Sequence, residues 1–189
     1  MRSAIFLDRD GVINENRKDY VKSQAEFVFL PGVMEPLRQM AQTDLVIVVI
    51  TNQSAIGRGL ISLEEAEAIN RFMVEEIERL GGRVDGVFYC PHRPDEDCDC
   101  RKPRPGLLLR AAQRFRLDLS RSYLVGDALS DIAAGLTVGC KPILVLTGRG
   151  KEQLVKIRAG EYNGYDVAAD LKEAVEWIVT DHRRQRLYG

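Results

Sequence analysis

Two acidic residues separated by a single position stand near the start of the chain, in the segment Asp8-Arg9-Asp10-Gly11. They directly follow the apolar run at residues 4–7. The glycine allows the backbone to turn there, so both carboxylates are able to face one ligand. Beside a divalent cation, Asp8 would stay ionised and act as a nucleophile, while Asp10 would protonate a leaving oxygen and later activate water. Such pairs are equally common in turns, so the pair alone leaves both interpretations open.

Further polar groups follow later segments of the chain. They are Thr51, Asn52, Gln53 and Ser54 after an apolar run, Lys102 in a basic loop, and Asp127 and Asp131 after another apolar run. Hydroxyl and amide groups can hold phosphoryl oxygens, and a lysine ammonium offsets the charge that spreads over them in the transition state. Asp127 would complete an oxygen-ligand set for Mg²⁺. Taken singly, these residues also fit a turn, a solvated loop and helix capping.

Residues 90–101 form a polar loop that contains four metal-binding side chains. They are Cys90, His92, Cys98 and Cys100. Three thiolates and one imidazole at this spacing fit a tetrahedral Zn²⁺ site with no open position, which predicts a structural zinc rather than a catalytic one. The ion would fix the loop and thereby position Arg101 and Lys102, which directly follow the last ligand. The alternative is a set of free cysteines beside a surface histidine.

The elements that must position these groups are β-prone apolar runs that alternate with amphipathic segments. The predicted strands cover residues 4–7, 45–50, 84–89, 122–125 and 142–146, and the predicted helices cover residues 31–43, 62–80, 105–116, 129–138 and 170–180. Ser62 and Glu65 form a capping box at the start of the second helix. The alternation predicts the α/β class: a Rossmann-like three-layer sandwich with a mainly parallel sheet. Ligands bind such sheets beyond the carboxyl ends of the strands, where the acids lie.

Length and composition limit the classes of protein that fit. The 189 residues predict a single domain over residues 1–189, and neither residues 11–30 nor the zinc loop is long enough to form a large cap domain. The net charge of −1 argues against nucleic acid as a partner. The longest apolar run, residues 45–50, is too short to cross a membrane, and the amino terminus has no secretory signal pattern. We therefore expect a cytoplasmic monomer that acts on a small molecule.

The order of these motifs resembles that of the haloacid dehalogenase-like phosphatase superfamily. The matching segments are Asp-x-Asp-Gly, the Thr after the second strand, a later Lys, and Gly-Asp-x-x-x-Asp. The resemblance implies that Asp8 forms an aspartyl-phosphate and that Asp10 is the general acid and base. It implies that Thr51 and Lys102 steady the phosphoryl group. Mg²⁺ would be bound by Asp8, the backbone carbonyl of Asp10 and Asp127, and Asp131 would orient Lys102 or a metal-bound water.

Longer segments of the sequence resemble two particular groups of enzymes within this superfamily. DRDGVIN, TNQSAIGRG and CPH…CDCRKPRPG are similar to the D-glycero-D-manno-heptose 1,7-bisphosphate 7-phosphatases and nearly as similar to the histidinol-phosphate phosphatases, over residues 3–150. The first of these groups removes the phosphate at C7 of a sugar bisphosphate. The implied substrate contacts are Asn52, Gln53, Ser54 and Arg101, together with Asn16 and Tyr20 from a loop at the same edge.

Two positions depart from the usual pattern of these enzymes. Ala128 stands where a Lys or Arg usually follows the metal-binding Asp, and Ala55 replaces a Gly. Neither position bears on the chemistry, but Ala128 bears on the substrate. Histidinol phosphate therefore stays open as a substrate, and so does a phosphotransferase reaction. A non-catalytic zinc module that binds a phosphorylated partner is the alternative from another class.

Overall fold

The structure is a computed structural model that describes residues 1–157 and 163–188. Its centre is one sheet of six parallel strands in the order β3-β2-β1-β4-β5-β6. The strands are β1 (Ala4–Leu7), β2 (Val46–Asn52), β3 (Gly86–Cys90), β4 (Tyr123–Gly126), β5 (Lys141–Val145) and β6 (Asp166–Ala168). The helices are α1 (Met34–Ala41), α2 (Ser54–Gly57), α3 (Leu63–Arg79), α4 (Gly106–Phe115), α5 (Leu129–Thr137), α6 (Gly150–Ile157) and α7 (Leu171–Tyr188).

The strand order reverses at β1, which pairs with β2 on one side and with β4 on the other. In register, Leu7 lies beside Val49 of β2 and beside Val125 of β4. The chain thus winds outward from β1 in both directions, and a crevice opens beyond its carboxyl end at such a switch point. Asp8 is the first residue past that end.

The sheet is buried on both faces because successive side chains of a strand point to opposite sides. Ile5 and Leu7 join a core cluster with side chains of α1, α3 and α7, whereas Ala4 and Phe6 join a second cluster with side chains of α4 and α5. Such fully apolar runs are typical of parallel strands covered by helices. The three-layer α/β class predicted from the sequence is confirmed.

The sequence pattern located most elements but not all of their ends. The Ser62–Glu65 capping box is present, with both of its hydrogen bonds. The pattern placed Thr51 and Asn52 beyond the second strand, whereas the ladder with β3 continues through both. The sequence pattern did not predict the sixth strand, and it did not predict the helices over Ser54–Gly57 and Gly150–Ile157. It also ended the last helix near residue 180, but that helix continues to Tyr188.

The carboxyl edge of the sheet is covered by loops. Between β1 and α1, the described chain has one short 3₁₀ helix, Gln24–Glu26, and two isolated bridges that involve Asn14. This segment is too small to form a cap domain, as predicted. The single-domain organisation over residues 1–189 stays a prediction. Within residues 1–157 and 163–188, no helix combines the length and the apolar composition that crossing a bilayer requires.

Candidate active site

Three carboxylates from separate elements meet beyond the ends of β1 and β4. Asp8 follows β1, Asp127 follows β4, and Asp131 lies in the first turn of α5. Each offers an oxygen within 4.8 Å of the others. Asp8 is 5% exposed, and the other two are fully buried. Buried carboxylates this close to each other require a cation, since burial removes the water that would otherwise stabilise their charge.

Lys102 supplies one positive charge to this cluster. Its Nζ lies 2.9 Å from Asp8 Oδ1 and 2.6 Å from Asp131 Oδ1, and it donates a hydrogen bond of 2.8 Å to the backbone carbonyl of Ile50. The Asn52 amide holds the Lys102 backbone at both its N–H and its carbonyl, each at 3.1 Å. The lysine therefore reaches Asp8 from a fixed backbone, and its charge can offset that of an anionic group bound there.

Asp10 belongs to a separate hydrogen-bond network. One carboxylate oxygen accepts a hydrogen bond of 2.8 Å from Gln53 Nε2, and the other accepts one of 2.9 Å from Asn14 Nδ2. The Arg9 guanidinium forms an ion pair of 3.1 Å with the carboxylate. Gln53 also donates to Thr51 Oγ1 at 2.8 Å and accepts from Arg9 at 3.0 Å. Asp10 is thus held in one orientation by three neighbours, while the hydroxyl of Thr51 is tied to the same amide.

Burial and charge divide the acids into two groups. Burial raises the pKa of Asp8 to about 6, assisted by the charges of neighbouring carboxylates and opposed by Lys102. Burial, together with the charge of Asp8, raises the pKa of Asp127 to about 6 as well. Burial also acts on Asp10, but the charge of Arg9 and three hydrogen bonds outweigh it and lower the pKa of this group. A bound cation would favour the ionised forms of Asp8 and Asp127.

Two glycines allow the backbone to pass close to Asp127. Gly11 has a φ of +89°, and a Cβ added there would lie 2.1 Å from Asp127 Oδ2. Gly148 has a φ of +52°, and its Cβ would lie 2.2 Å from the same oxygen. The Thr147 hydroxyl donates a hydrogen bond of 2.6 Å to the carbonyl of Gly11, and this bond connects the two turns. The Asp127 carboxylate is therefore enclosed by main chain that admits no side chain at either position.

Substitution of Gly11 by alanine is expected to displace Asp127 and to lower both stability and activity. The left-handed φ alone costs about 1 kcal/mol. The matched control is Gly32→Ala, since Gly32 also has a positive φ of +76° but nothing within 4 Å of an added Cβ. We expect thermal unfolding to show a clearly larger loss for Gly11→Ala, with lost activity in that variant alone. Equal losses in the two variants would show that the contact with Asp127 is unimportant.

Asp8, Asp10, Thr51 and Lys102 line a cleft of about 390 Å³. Its lining residues are Asp8, Arg9, Asp10, Asn16, Arg17, Lys18, Tyr20, Val21, Thr51, Asn52, Ser54, Arg101, Lys102, Ser130 and Arg149. The substrate contacts predicted at Asn16, Tyr20 and Arg101 thus lie on its wall. Gln53 is 4% exposed and is not part of the described lining, so its position supports orientation of Asp10 more than contact with a substrate.

Sequence reasoning missed two arginines that pair with carboxylates of this site, Arg9 with Asp10 and Arg149 with Asp127. Arg9 is 1% exposed, donates 3.0 Å to Asn70 Oδ1 and stacks over the Phe27 ring at 5.8 Å. An arginine between two acids has the local pattern of a surface loop, and only the distant Asn70 and Phe27 make it a core residue. Arg149 lies in a Gly-Arg-Gly segment whose spacing matches no nucleotide-binding motif, so no local pattern indicated its place beside Asp127.

The four cysteine and histidine side chains of the loop also converge. Each of Cys90, His92, Cys98 and Cys100 offers a ligand atom within 4.8 Å of the others. The Sγ atoms of Cys90 and Cys98 are 3.6 Å apart, and His92 Nδ1 lies 3.3 Å from Cys100 Sγ. Ligand bonds of about 2.0 to 2.3 Å around one tetrahedral ion would give separations of this size. The Arg101 guanidinium donates 3.2 Å to the carbonyl of His92 and joins this cluster to the cleft.

Comparisons with known proteins agree with this fold and site. A family model described as HAD-hydrolase-like matches residues 99–174. The crystal structure of a D,D-heptose 1,7-bisphosphate phosphatase from Bordetella bronchiseptica, complexed with magnesium and phosphate, superposes with a TM-score of 0.89 at 39% identity, over 95% of this chain and 99% of that one. The class is that of the haloacid dehalogenase-like phosphatases, which hydrolyse phosphoric monoesters.

Curated relatives narrow the class to one family. The D-glycero-beta-D-manno-heptose-1,7-bisphosphate 7-phosphatase of Pseudomonas aeruginosa is 42% identical over 82% of this chain and 87% of its own length. The B. bronchiseptica enzyme of the same name is 40% identical over 94% of this chain and 98% of its own length. The chain belongs to this family of heptose bisphosphate phosphatases.

Proposed function

We propose that this protein removes the C7 phosphate of D-glycero-β-D-manno-heptose 1,7-bisphosphate through an aspartyl-phosphate on Asp8. The observation that carries the chemistry is the meeting of Asp8, Lys102 and Asp127, of which Asp8 and Lys102 line the cleft and Asp127 is buried beside Asp8. The substrate is proposed from the two relatives named for it, which this chain matches over most of its length.

The proposed reaction has two steps. An Asp8 oxygen attacks phosphorus while the bond to the sugar oxygen breaks, and Asp10 gives that oxygen a proton. Asp10 then takes a proton from a water molecule, which attacks phosphorus and releases phosphate from Asp8. The lowered pKa of Asp10 suits the second step, in which it acts as a base. The nearby charge of a bound phosphate raises that pKa again and so favours the protonated form for the first step.

The residues present fit a magnesium ion. Mg²⁺ prefers oxygen ligands, and Asp8 and Asp127 provide two buried carboxylates within 4.8 Å of each other, with the carbonyl of Asp10 as the third proposed ligand. Asp131 also contributes an oxygen to the cluster, but its ion pair of 2.6 Å with Lys102 favours a supporting role. When bound, the ion would neutralise phosphoryl oxygens and keep the nucleophile ionised.

The shape and charge of the cleft suit a small bisphosphate. A volume of about 390 Å³ lies within the range of small-molecule sites. Asn16 and Tyr20 face it from the loop after β1, where they would contact sugar hydroxyls. We propose Arg101 as the partner of the phosphate that is retained, since its planar fork suits phosphate oxygens and it is fixed through its bond to the carbonyl of His92.

A substrate comparison tests this function. Purified protein with Mg²⁺ is assayed on heptose 1,7-bisphosphate and on histidinol phosphate, and the heptose product is identified by phosphorus NMR. We expect kcat/KM to favour the bisphosphate by at least about 100-fold, since a site built around a second phosphate rejects a ligand that lacks it. A preference for histidinol phosphate, or loss of the C1 phosphate instead, would refute the substrate assignment. Inactivity on both substrates would refute the phosphatase function itself.

We propose a structural zinc ion at the cysteine and histidine cluster. Cys98→Ser is expected to lower the zinc content from about one ion per chain and to lower kcat, because the loop that positions Arg101 and Lys102 loses its anchor. Cys140→Ser is the matched control: Cys140 is a buried thiol outside the cluster, so the variant should keep its zinc and its activity. Metal analysis and steady-state kinetics provide the measurements, and full activity in a zinc-free protein would contradict the positioning role.

A further inference from the structure

The backbone of Arg149 holds Asp127 independently of the arginine side chain. Arg149 stands between the end of β5 and the start of α6, and its N–H donates 2.8 Å to Asp127 Oδ2. Gly148 fixes this approach, because any side chain there would collide with Asp127 and with Gly11. The guanidinium can therefore be changed by mutation without removing the bond that orients the carboxylate.

The guanidinium itself is held weakly. One terminal nitrogen lies 3.4 Å from Asp127 Oδ1, beyond the usual 2.7 to 3.2 Å, and the side chain is 51% exposed. Across the described residues, this is the one side-chain partner of Arg149. Asp127, in contrast, is fully buried and depends on its neighbours for compensation of its charge. The contact suits a counter-ion that can leave at small cost.

The distribution of positive charge around the cleft suggests a second binding partner for the Arg149 guanidinium, a phosphoryl group on Asp8. Lys102 reaches Asp8 from the side of β2, since its Nζ bonds the carbonyl of Ile50 in that strand. The loops that follow β4 and β5 contribute Ser130 and Arg149 to the described lining, and the loop after β1 contributes Arg17 and Lys18. Arg149 is therefore the one cation that the loops after β4 and β5 place in the described lining. A phosphoryl group on Asp8 spreads charge over several oxygens and is best stabilised from both sides.

We propose that the Arg149 guanidinium exchanges between two partners: Asp127, which it contacts in the structure, and an oxygen of the phosphate ligand once Mg²⁺ occupies the carboxylate cluster. The ion and the guanidinium are both positive and both use Asp127, so binding of the ion repels the guanidinium from that carboxylate. The released side chain lies in the same cleft as Asp8, where a phosphate dianion accepts it in charge-assisted hydrogen bonds. This inference rests on the proposed function and adds a phosphate-binding residue to it.

The test uses Arg149→Met, with inorganic phosphate and Mg²⁺ as probes in isothermal titration calorimetry. Without phosphate, we expect the variant to bind Mg²⁺ about two- to five-fold more tightly, because a competing cation has been removed. With saturating Mg²⁺, we expect it to bind phosphate at least about ten-fold more weakly. Arg149→Lys, which keeps the charge but not the fork, should lie between the variant and the wild type. The control is Arg184→Met, an exposed arginine of α7 that should change neither constant.

The outcomes separate this proposal from the proposed function. Weaker Mg²⁺ binding in Arg149→Met would show that the side chain supports the metal site instead of competing for it. Unchanged phosphate binding in the metal-loaded variant would show that the guanidinium never reaches the ligand. Either result overturns the exchange while the wild-type enzyme still hydrolyses its substrate. A wild-type protein that hydrolyses no phosphate ester would instead overturn the function on which the exchange rests.

Discussion

Substitution of Asp8 by asparagine is expected to lower kcat by at least about four orders of magnitude while the protein stays folded. The amide is nearly isosteric, so its oxygen can still accept from Lys102, which lies 2.9 Å from Asp8 Oδ1. It lacks the negative charge needed to attack phosphorus. Burial raises the pKa of Asp8 to about 6, so the ionised form is disfavoured in the metal-free fold. Replacing it with a neutral group should therefore not reduce stability at neutral pH.

Two measurements define this experiment. Steady-state kinetics on the heptose bisphosphate gives kcat, and thermal unfolding shows that the variant is folded. The matched control is Asp166→Asn, which makes the same chemical change at an exposed position in the edge strand β6 and should leave kcat unchanged. Mass spectrometry of the assayed sample excludes deamidation back to aspartate. An Asp8→Asn protein that retains more than about one per cent of the wild-type rate would contradict the role of Asp8 as nucleophile.

Substitution of Lys102 by methionine is expected to damage both stability and catalysis. Methionine fills a similar volume but leaves Asp8 and Asp131 buried without the ammonium that lies 2.9 and 2.6 Å from them. Removal of one partner from a buried ion pair costs about 3 to 5 kcal/mol. The loss of a positive charge beside the phosphoryl group should also lower kcat by about 100-fold or more. Denaturant unfolding and steady-state kinetics measure the two losses separately.

The pH dependence of this loss has a definite sign. The pKa values of Asp8 and Asp131 are already raised by burial, and Lys102 opposes that rise. Without the lysine these pKa values rise further, so the folded variant favours protonated carboxyls. The free energy of unfolding of Lys102→Met should therefore fall, relative to wild type, as the pH rises from about 5 to 8. A second change, Asp131→Asn, should recover part of the stability but not the activity; a pH-independent loss without such recovery would refute this account.

The sequence predicted the parts of the fold that depend on local pattern. β1 was placed at residues 4–7 and lies at Ala4–Leu7, because a fully apolar run between polar Ser3 and Asp8 has clear ends. The Ser62 capping box also marked its helix correctly. In contrast, β6 is three residues long and two of its side chains are exposed, so no hydrophobic pattern predicted this strand. α7 continued past residue 180 because His182 is buried and bonds Asp44 at 2.9 Å, a contact 138 positions away in sequence.

In the site, too, local pattern predicted the location of residues but not the contacts between them. Asp8, Thr51 and Asp127 could be assigned to one location, because strand ends in a parallel sheet share an edge. Lys102 was placed with them by the family resemblance. Which atoms pair with which could not be predicted. The contact of Gln53 with the substrate stays a prediction, while the hydrogen bonds of its amide to Asp10 and Thr51 had no signal in the sequence. Such pairings depend on side-chain directions that spacing alone does not determine.

The most direct test of the account is detection of the phosphoryl group on Asp8. The wild-type protein, mixed with Mg²⁺ and heptose bisphosphate, is quenched in acid within a single turnover, and the trapped acyl phosphate is reduced with borohydride. We expect mass spectrometry of the peptides to show homoserine at position 8, and we expect no such signal without substrate. Modification at another residue, or none in samples quenched during rapid turnover, would show that Asp8 does not carry the phosphoryl group.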